Sequence, residues 1–339
     1  MIRIAILSFW HVHTRDYIRQ TLEHPETELV AAWDDEPERG RVQADALGVR
    51  FYENLDELLA QTDIDAVIVE TPTNLHHQVL IAAARAGKHI FTEKVIAPTQ
   101  HECNQIMDAI EQAGVKLIVS LPRLYAGYTL AVKDILAHKQ LGQTTQVRVR
   151  LSHNGAIATA ESPDGWLPER FFNKEQCGGG AMIDLGCHPM YLTRLFLGWP
   201  ESVNASYGYV TGREVEDNAV VTLNYPNGAI GIVEAGFVNR FSPFTIESHG
   251  TEGSLLFGTP ENKLLLRSTQ TDTPGGDAWH EISLPADRPL AFTQWIDHIK
   301  TGTTATDNIQ IARELTTLME AANISARTQQ SVRLDSLQS

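Results

Sequence analysis

The segment Ile2-Arg3-Ile4-Ala5-Ile6-Leu7, followed directly by Ser8-Phe9-Trp10-His11-Val12-His13, is typical of a buried strand and the turn that leads into a helix. Strand and helix patterns then alternate as far as residue 120, with strands at 29–33, 66–69, 89–92 and 116–120 and helices at 14–22, 37–47, 74–86 and 100–113. Asn74 is the predicted cap of the third helix. This alternation predicts an α/β domain with a doubly wound, mostly parallel sheet, helices on both faces and ligands at the carboxyl ends of its strands.

The pattern changes after about residue 142. Alternating segments predict strands at 146–151, 203–209, 219–225, 229–237, 244–248, 254–257 and 263–267, and helical patterns return at 290–300 and 308–326. Asn227-Gly228 is a strong hairpin signal. We therefore expect a Rossmann-like, dinucleotide-binding domain at 1–122 and a substrate-binding α+β domain at 123–339. The second domain should contain a large open, mostly antiparallel sheet flanked by helices, and its last helices could pack back on the first domain.

Composition excludes several classes of protein. The chain has 339 residues, 42% of them hydrophobic, and a net charge of -15 from 27 basic and 42 acidic residues, which argues against nucleic-acid and anionic-membrane partners. It shows neither an apolar run of about 20 residues nor a signal-peptide pattern at its start, so we expect a cytoplasmic protein. Cys103, Cys177 and Cys187 are odd in number and lack metal-site spacing, which favours reduced, buried thiols.

A glycine run, Gly178-Gly179-Gly180, leads into an apolar segment that carries Asp184 and His188. On an α-helix this spacing places the carboxylate and the imidazole on one face, one turn apart. Glycines that let a ligand approach the backbone, next to such a pair, suit proton transfer to and from a bound hydroxyl. A glycine loop followed by a core helix with a structural histidine is the alternative interpretation.

The turn after the first strand has no glycine where a dinucleotide-binding fold carries G-x-G-x-x-G. Ser8, Phe9, Trp10 and His11 are nevertheless the predicted cofactor-binding residues of this turn. Trp10 would block the approach of a pyrophosphate unless its indole lies outside and the next helix offers its N–H groups. Asp34, at the end of the second strand, suits a ribose 2′-hydroxyl and favours NAD over NADP, although it could also cap the following helix.

His11-Val12-His13 allows a different interpretation, because an H-x-H pair after a first strand binds metal in amidohydrolase barrels. Such a metal-dependent hydrolase would need eight βα units and further metal ligands, whereas the alternation here stops near residue 140. We therefore expect no metal, since neither histidine has an evident partner ligand. A non-catalytic sugar-binding scaffold is a third possibility, against which the Asp184 and His188 pair argues.

Taken together, three motifs resemble the glucose-fructose oxidoreductase/inositol dehydrogenase/MocA (Gfo/Idh/MocA) family of NAD(P)-dependent oxidoreductases. They are Thr71-Pro72-Thr73-Asn74-Leu75-His76, Glu93-Lys94 and the segment 178–188, and the resemblance extends to Gly250-Thr251-Glu252-Gly253-Ser254-Leu255. It implies that the cofactor is bordered by Thr71, Pro72, Asn74 and His76, and that Glu93 and Lys94 lie by the nicotinamide. The family usually has proline after the lysine, where this chain has Val95.

The resemblance also implies a catalytic set. His188 would accept the hydroxyl proton, Lys94 would stabilise the charge that develops on the same oxygen, and Asp184 would position substrate and imidazole. Substrates of the family include sugars, sugar acids and cyclitols, and some members cleave glycosides by transient oxidation. We expect a homodimer or homotetramer that associates through the open face of the second sheet. Predicted substrate-binding residues are Arg123, Tyr125, His153, Asn154, Trp166 and Arg170.

Overall fold

A computed structural model describes residues 1–259, 261–270 and 278–337. The chain divides into two compact units. Unit 1 consists of Met1–Leu121 and Pro289–Thr316, and unit 2 of Pro122–Arg288 and Thr317–Ser339. Unit 1 therefore includes a late segment of the chain as well as the amino-terminal part. No helix within the described ranges combines the length and the apolar character that a membrane span requires.

Unit 1 contains a six-stranded parallel sheet in the order β3-β2-β1-β4-β5-β6. Its strands are β1 (Ile2–Leu7), β2 (Thr27–Trp33), β3 (Arg50–Tyr52), β4 (Ala66–Val69), β5 (His89–Thr92) and β6 (Leu117–Val119). The connecting helices are α1 (Thr14–Glu23), α2 (Pro37–Leu47), α3 (Leu55–Leu59), α4 (His76–Arg85) and α5 (Gln100–Ala113). The order reverses between β1 and β4, and this reversal is where open α/β sheets bind their ligands.

The late segment of unit 1 packs against the last strands of the parallel sheet. Trp295 is fully buried, and its ring centroid lies 5.7 Å from that of Phe91. The side-chain amide of Asn308 pairs with both the N–H and the carbonyl of Val119, at 2.9 Å each. The apolar contact and the amide pair together hold this segment at the β6 side of the sheet.

Unit 2 is built on a nine-stranded sheet in the order β14-β13-β12-β11-β7-β10-β9-β8-β15. All its strand pairs are antiparallel except β7 with β10, so the prediction of a mostly antiparallel sheet is confirmed. Its strands are β7 (Thr144–Ser152), β8 (Ser202–Gly208), β9 (Asn218–Asn224), β10 (Ile230–Gly236), β11 (Thr245–Gly250), β12 (Gly253–Phe257), β13 (Leu264–Ser268), β14 (His280–Ile282) and β15 (Val332–Arg333). The remaining helices of the chain are α6 (Gly127–Ala137), α7 (Lys174–Cys177), α8 (Cys187–Leu197), α9 (Ala291–Thr301) and α10 (Thr306–Thr328).

Local departures from the predicted elements have physical causes. Asn74 does not cap a helix, because Thr73–Leu75 form a 3₁₀ turn and α4 begins at His76. The short strands β3, β14 and β15 have only two or three residues, too few for a periodic signal. The Asn227-Gly228 hairpin is confirmed, with Gly228 at φ 83° between β9 and β10.

Candidate functional site

The turn after β1 follows a left-handed path even though it lacks glycine. Ser8 has a φ of 81°, a conformation that glycine adopts without strain and other residues rarely adopt. The Ser8 N–H donates to the carbonyl of Trp33 at 2.7 Å, and the Ser8 hydroxyl accepts from the N–H of Trp10 at 3.1 Å. Serine therefore supports the backbone turn that the first glycine of the usual fingerprint supports.

The backbone donors of this turn have acceptors within unit 1. Phe9 donates to Asp34 Oδ2 at 2.8 Å, His11 to the Glu70 carbonyl at 3.2 Å, and the N–H of His13 to His11 Nδ1 at 3.2 Å. The Trp10 indole does not lie outside, because only 4% of this residue is exposed. The path of the turn thus fits a dinucleotide. Because the backbone N–H groups of Phe9, His11 and His13 already have acceptors, the pyrophosphate of the dinucleotide would need other hydrogen-bond donors.

Asp34 is already surrounded by donors in the structure. It is buried and accepts hydrogen bonds from the N–H groups of Phe9 and Glu36, both at 2.8 Å, while Arg39 forms a two-pronged ion pair with its carboxylate. Burial raises the pKa of Asp34 even though these donors favour its charged form. Asp35 also pairs with Arg39, at 2.9 Å, and is partly exposed. The predicted ribose acid is therefore coupled to an arginine, which sequence reasoning missed.

Two buried glutamates and two histidines meet at the carboxyl ends of β4 and β5. Glu93 Oε1 lies 3.0 Å from His13 Nδ1 and 3.9 Å from His11 Nδ1, and it accepts a short hydrogen bond from the Tyr17 hydroxyl. Glu70 Oε2 lies 3.9 Å from His11 Nδ1. We name Glu70, Glu93, His11 and His13 the acid–histidine cluster. The expectation that the two histidines lack partner ligands is wrong, because the parallel sheet brings Glu93 to both of them and Glu70 to His11.

The two glutamates of this cluster differ in their pKa. Burial and the nearby charge of Glu93 raise the pKa of Glu70 well above its usual range. Burial alone would raise the pKa of Glu93 as well, but His11, His13 and Lys94 hold it well below the usual value. Glu93 is therefore the ionised member, and Glu70 is the one that is easily protonated.

The other residues predicted to border the cofactor lie in the loops after β4 and β5. Lys94 is buried, with 6% exposure, and its peptide bond to Val95 is cis. The His76 ring is buried too, and its nitrogens lie 2.9 Å from the Val95 carbonyl and 3.2 Å from the Thr71 carbonyl. His76 therefore ties the two loops together and does not present its ring at the surface. Pro72 is buried and Asn74 is exposed.

In unit 2 two glycines of the run are required by the fold. Gly178 ends α7 at a φ of 75°, and a Cβ on Gly180 would overlap the Glu216 carbonyl. The buried Glu216 carboxylate accepts from the N–H groups of Gly180 and Met182, both at 2.9 Å. Burial raises the pKa of Glu216 despite these two donors. Glu216 thus anchors the segment that carries Asp184 and His188.

The predicted single α-helix through Asp184 and His188 is wrong. Met182–Gly186 form a π-helix, and α8 starts only at Cys187. In a π-helix the backbone hydrogen bonds join residues five apart, compared with four in an α-helix. Two side chains four residues apart therefore no longer lie one turn apart on the same face. A Cβ on Gly186 would meet the Met182 sulfur at 2.5 Å and the Ala235 Cβ at 3.2 Å, which explains why this position is glycine. Short π-helices occur frequently at functional sites.

His188 contacts a buried tyrosine. Its Nδ1 lies 3.3 Å from the Tyr191 hydroxyl, which also accepts a hydrogen bond from the N–H of Arg123 at 3.1 Å. Burial raises the pKa of Tyr191 well above its usual value, so this phenol stays protonated. Of the predicted substrate residues, Arg123 therefore connects with His188 through Tyr191. The Arg123 guanidinium lies 4.1 Å from the centroid of the Phe244 ring.

A second group of predicted substrate residues forms an aromatic cluster after β7. The His153 ring stacks on Phe237 at 5.1 Å and tilts against Trp166 at 4.7 Å, and Trp166 remains 53% exposed. Asn154 lies 3.5 Å from the Trp166 indole nitrogen. Burial lowers the pKa of His153, whereas the charge of Asp184 raises it, which places that carboxylate near this cluster. Elsewhere in unit 2, Tyr125 is buried, and the Arg170 guanidinium lies 5.9 Å from the Phe171 ring centroid.

Comparison with known proteins identifies the family. Residues 3–121 match the model described as "Oxidoreductase family, NAD-binding Rossmann fold", and residues 129–256 match "GFO/IDH/MocA C-terminal domain". The chain belongs to the Gfo/Idh/MocA family. It is an oxidoreductase with an NAD-binding domain, and the family resemblance seen in the sequence is confirmed.

Curated relatives and solved structures agree with this membership of the Gfo/Idh/MocA family. The 1,5-anhydro-D-fructose reductase of Ensifer adhaerens is 30% identical over 71% of this chain and 72% of its own length. The levoglucosan dehydrogenase of Pseudarthrobacter phenanthrenivorans is 29% identical over 64% of this chain and 62% of its own length. An aldose-aldose oxidoreductase from Caulobacter crescentus shares the fold, with a TM-score of 0.80, 23% identity and coverage of 98% and 99% of the two chains.

Five residues that contribute to these sites were not predicted from the sequence. Three of them contact residues distant in the chain, two lie within one or two helical turns of their partners, and none belongs to a recognisable motif. The signal for one of them was present, since an arginine five residues after Asp34 can reach back from the first turn of α2. The five are Tyr17, Arg39, Glu70, Tyr191 and Glu216.

Proposed function

We propose that this protein is an NAD(H)-dependent oxidoreductase that interconverts a secondary hydroxyl and a carbonyl on the ring of a sugar, sugar derivative or cyclitol. The observation that carries the proposal is the match of both domain models in chain order, with Lys94 two residues after β5 and His188 in the first turn of α8. The relatives named as anhydrofructose reductase and levoglucosan dehydrogenase support a sugar substrate.

Bound NAD⁺ supplies the acceptor for the hydride that leaves the substrate carbon. We expect Ser8 to preserve the turn that binds the cofactor. The acidic residues after β2, at 34–36, should favour a ribose without a 2′-phosphate, so that NAD is preferred over NADP. Arg39 neutralises part of that negative charge, and the preference therefore depends on Asp35 and Glu36 as well as on Asp34.

The proton of the substrate hydroxyl goes to His188. For Nε2 to accept it, the neutral imidazole must carry its own proton on Nδ1 and donate that proton to the Tyr191 oxygen, 3.3 Å away. Tyr191 would then fix both the tautomer and the orientation of the ring. Asp184 would position the substrate and the imidazole.

Lys94 is proposed to stabilise the negative charge that develops on the substrate oxygen as its proton leaves. An ammonium that is 6% exposed acts in a medium of low dielectric, where its charge is weakly screened. The charge of Lys94 acts on both glutamates of the acid–histidine cluster, which places the lysine close to them. In this proposal Lys94 acts through its charge and His188 through proton transfer.

A screen of sugars and cyclitols with NAD⁺, followed by the absorbance of NADH, tests the proposal. We expect turnover with at least one ring polyol, and kcat should fall in both Lys94→Ala and Asp184→Ala. Equal kcat in wild type and in folded Lys94→Ala would contradict the role of the lysine. An absence of NADH formation and of NADH oxidation across such substrates and their keto forms would contradict the function itself.

A further inference from the structure

The acid–histidine cluster lies wholly within unit 1 and has the donor set of a metal site. Ligand atoms from His11, His13 and Glu93 all lie within 4.8 Å of one another. For an ion held by tetrahedral ligands at about 2.0 to 2.2 Å, neighbouring ligand atoms are about 3.3 to 3.6 Å apart. The observed separations from Glu93 Oε1 to the two imidazole nitrogens are 3.0 and 3.9 Å, and an ion bound to His11 Nδ1 would replace the His13 N–H that this nitrogen accepts in the structure.

Glu70 gives an independent indication of a missing partner. It is fully buried, and no donor in the described ranges reaches its Oε1. The other oxygen of this carboxylate, Oε2, lies 3.9 Å from His11 Nδ1. It accepts a long hydrogen bond, of 3.3 Å, from the Thr14 hydroxyl. A buried carboxylate oxygen with no hydrogen bond is costly, and a cation held next to Glu70 would lower that cost.

The residues around the cluster resemble the outer shell of a metal site. The Tyr17 hydroxyl donates to Glu93, and the Lys94 N–H donates to Glu93 Oε2 at 3.1 Å. Ligating carboxylates are usually held by such hydrogen bonds, which fix their orientation.

We propose that His11, His13 and Glu93 bind one divalent transition-metal ion, with Glu70 next to the site and Zn²⁺ as the ion that fits best. Two imidazoles and one carboxylate suit Zn²⁺ or Mn²⁺, whereas Mg²⁺ and Ca²⁺ prefer an all-oxygen set. The proposal does not depend on the proposed oxidoreductase activity, because the site is complete without cofactor or substrate. It also does not require a hydrolase, since unit 1 has an open six-stranded sheet rather than a barrel.

The test is Zn²⁺ binding to chelator-treated, full-length protein, measured by calorimetry and by elemental analysis after desalting. We expect one Zn²⁺ per chain and a rise in melting temperature on binding. His13→Ala removes a ligand that is 43% exposed and therefore leaves the fold intact, and it should weaken binding by at least about 100-fold. Glu70→Gln, which keeps the shape of the side chain, should weaken it by about 10- to 100-fold.

Exposed His101 on α5 provides the matched control, and His101→Ala should bind Zn²⁺ as the wild type does. Circular dichroism confirms that each variant is folded. The proposal is overturned if the chelated wild type binds no stoichiometric Zn²⁺, or if His13→Ala binds it as tightly as His101→Ala. It is also overturned if Mg²⁺ binds as tightly as Zn²⁺. None of these outcomes bears on NADH formation, so failure here is distinct from failure of the proposed function.

Discussion

Removing the Glu216 carboxylate should show how the segment that carries Asp184 and His188 is held. In Glu216→Ala, the N–H groups of Gly180 and Met182 lose their acceptor inside unit 2. Each buried donor without a partner costs roughly 1 to 3 kcal/mol, so the loss should be about 2 to 6 kcal/mol. For a unit of this size, that corresponds to a fall in melting temperature of roughly 5 to 20 °C.

Glu216→Gln separates the hydrogen bonds from the charge, because the amide oxygen can accept from both N–H groups. We expect its free energy of unfolding to stay within about 1 kcal/mol of wild type. The folded-state pKa of Glu216 is raised by burial, so the stability associated with its protonated form is lost as pH rises from the usual glutamate range through that raised pKa. The stability of Glu216→Gln relative to wild type should therefore improve from pH 4 to pH 7.

Urea unfolding of the three proteins at both pH values, followed by tryptophan fluorescence and circular dichroism, measures these differences. Activity measured on the same preparations should show a lower kcat for Glu216→Ala, since the catalytic segment is loosened. A melting temperature of Glu216→Ala within about 2 °C of wild type would refute the anchoring role. So would a Gln variant as unstable as the Ala variant.

Three further outcomes are expected. Gly180→Ala should unfold at a lower temperature than Gly179→Ala, because the new Cβ at residue 180 would overlap a backbone carbonyl. At Gly179 the nearest atom to such a Cβ is 3.4 Å away, and equal melting curves of the two variants would contradict this prediction. Tyr191→Phe should lower kcat several-fold and leave NAD⁺ affinity unchanged, because it removes the oxygen that orients the imidazole, and an unchanged kcat would argue against that orientation. The kcat/KM with NAD⁺ should exceed that with NADP⁺, because the 2′-phosphate would meet the acids after β2; the reverse ratio would count against this preference.

Periodicity was sufficient to predict five of the six parallel strands, because each of them contains an apolar run closed by a turn, whereas β3 is too short for such a signal. It could not distinguish a π-helix from an α-helix at Asp184, since the two differ by a single residue in their hydrogen-bond spacing. The mostly antiparallel sheet was predictable from the alternation of apolar and polar residues. Its parallel β7–β10 pair was not, because it depends on which strands become neighbours in the sheet.

The site residues that could be predicted belong to sequence motifs, and those that could not depend on tertiary contacts. Motifs indicated Lys94, Asp184 and His188, and their catalytic roles remain proposals. Glu70 was not identifiable, because it follows β4 as one acidic residue among many and meets His11 only after β1 and β4 pair. Glu216 lies 36 residues beyond Gly180, and only the packing of two loops brings them together.

Replacing His188 tests the central claim most directly. Wild type and His188→Ala should be compared in one preparation series for kcat with an active sugar, NAD⁺ affinity and melting temperature. The account predicts a folded variant whose kcat is lower by a factor of roughly 10² to 10⁴ and whose NAD⁺ affinity is nearly unchanged. A folded His188→Ala protein with a near-normal kcat would contradict the assignment of this histidine as the proton acceptor.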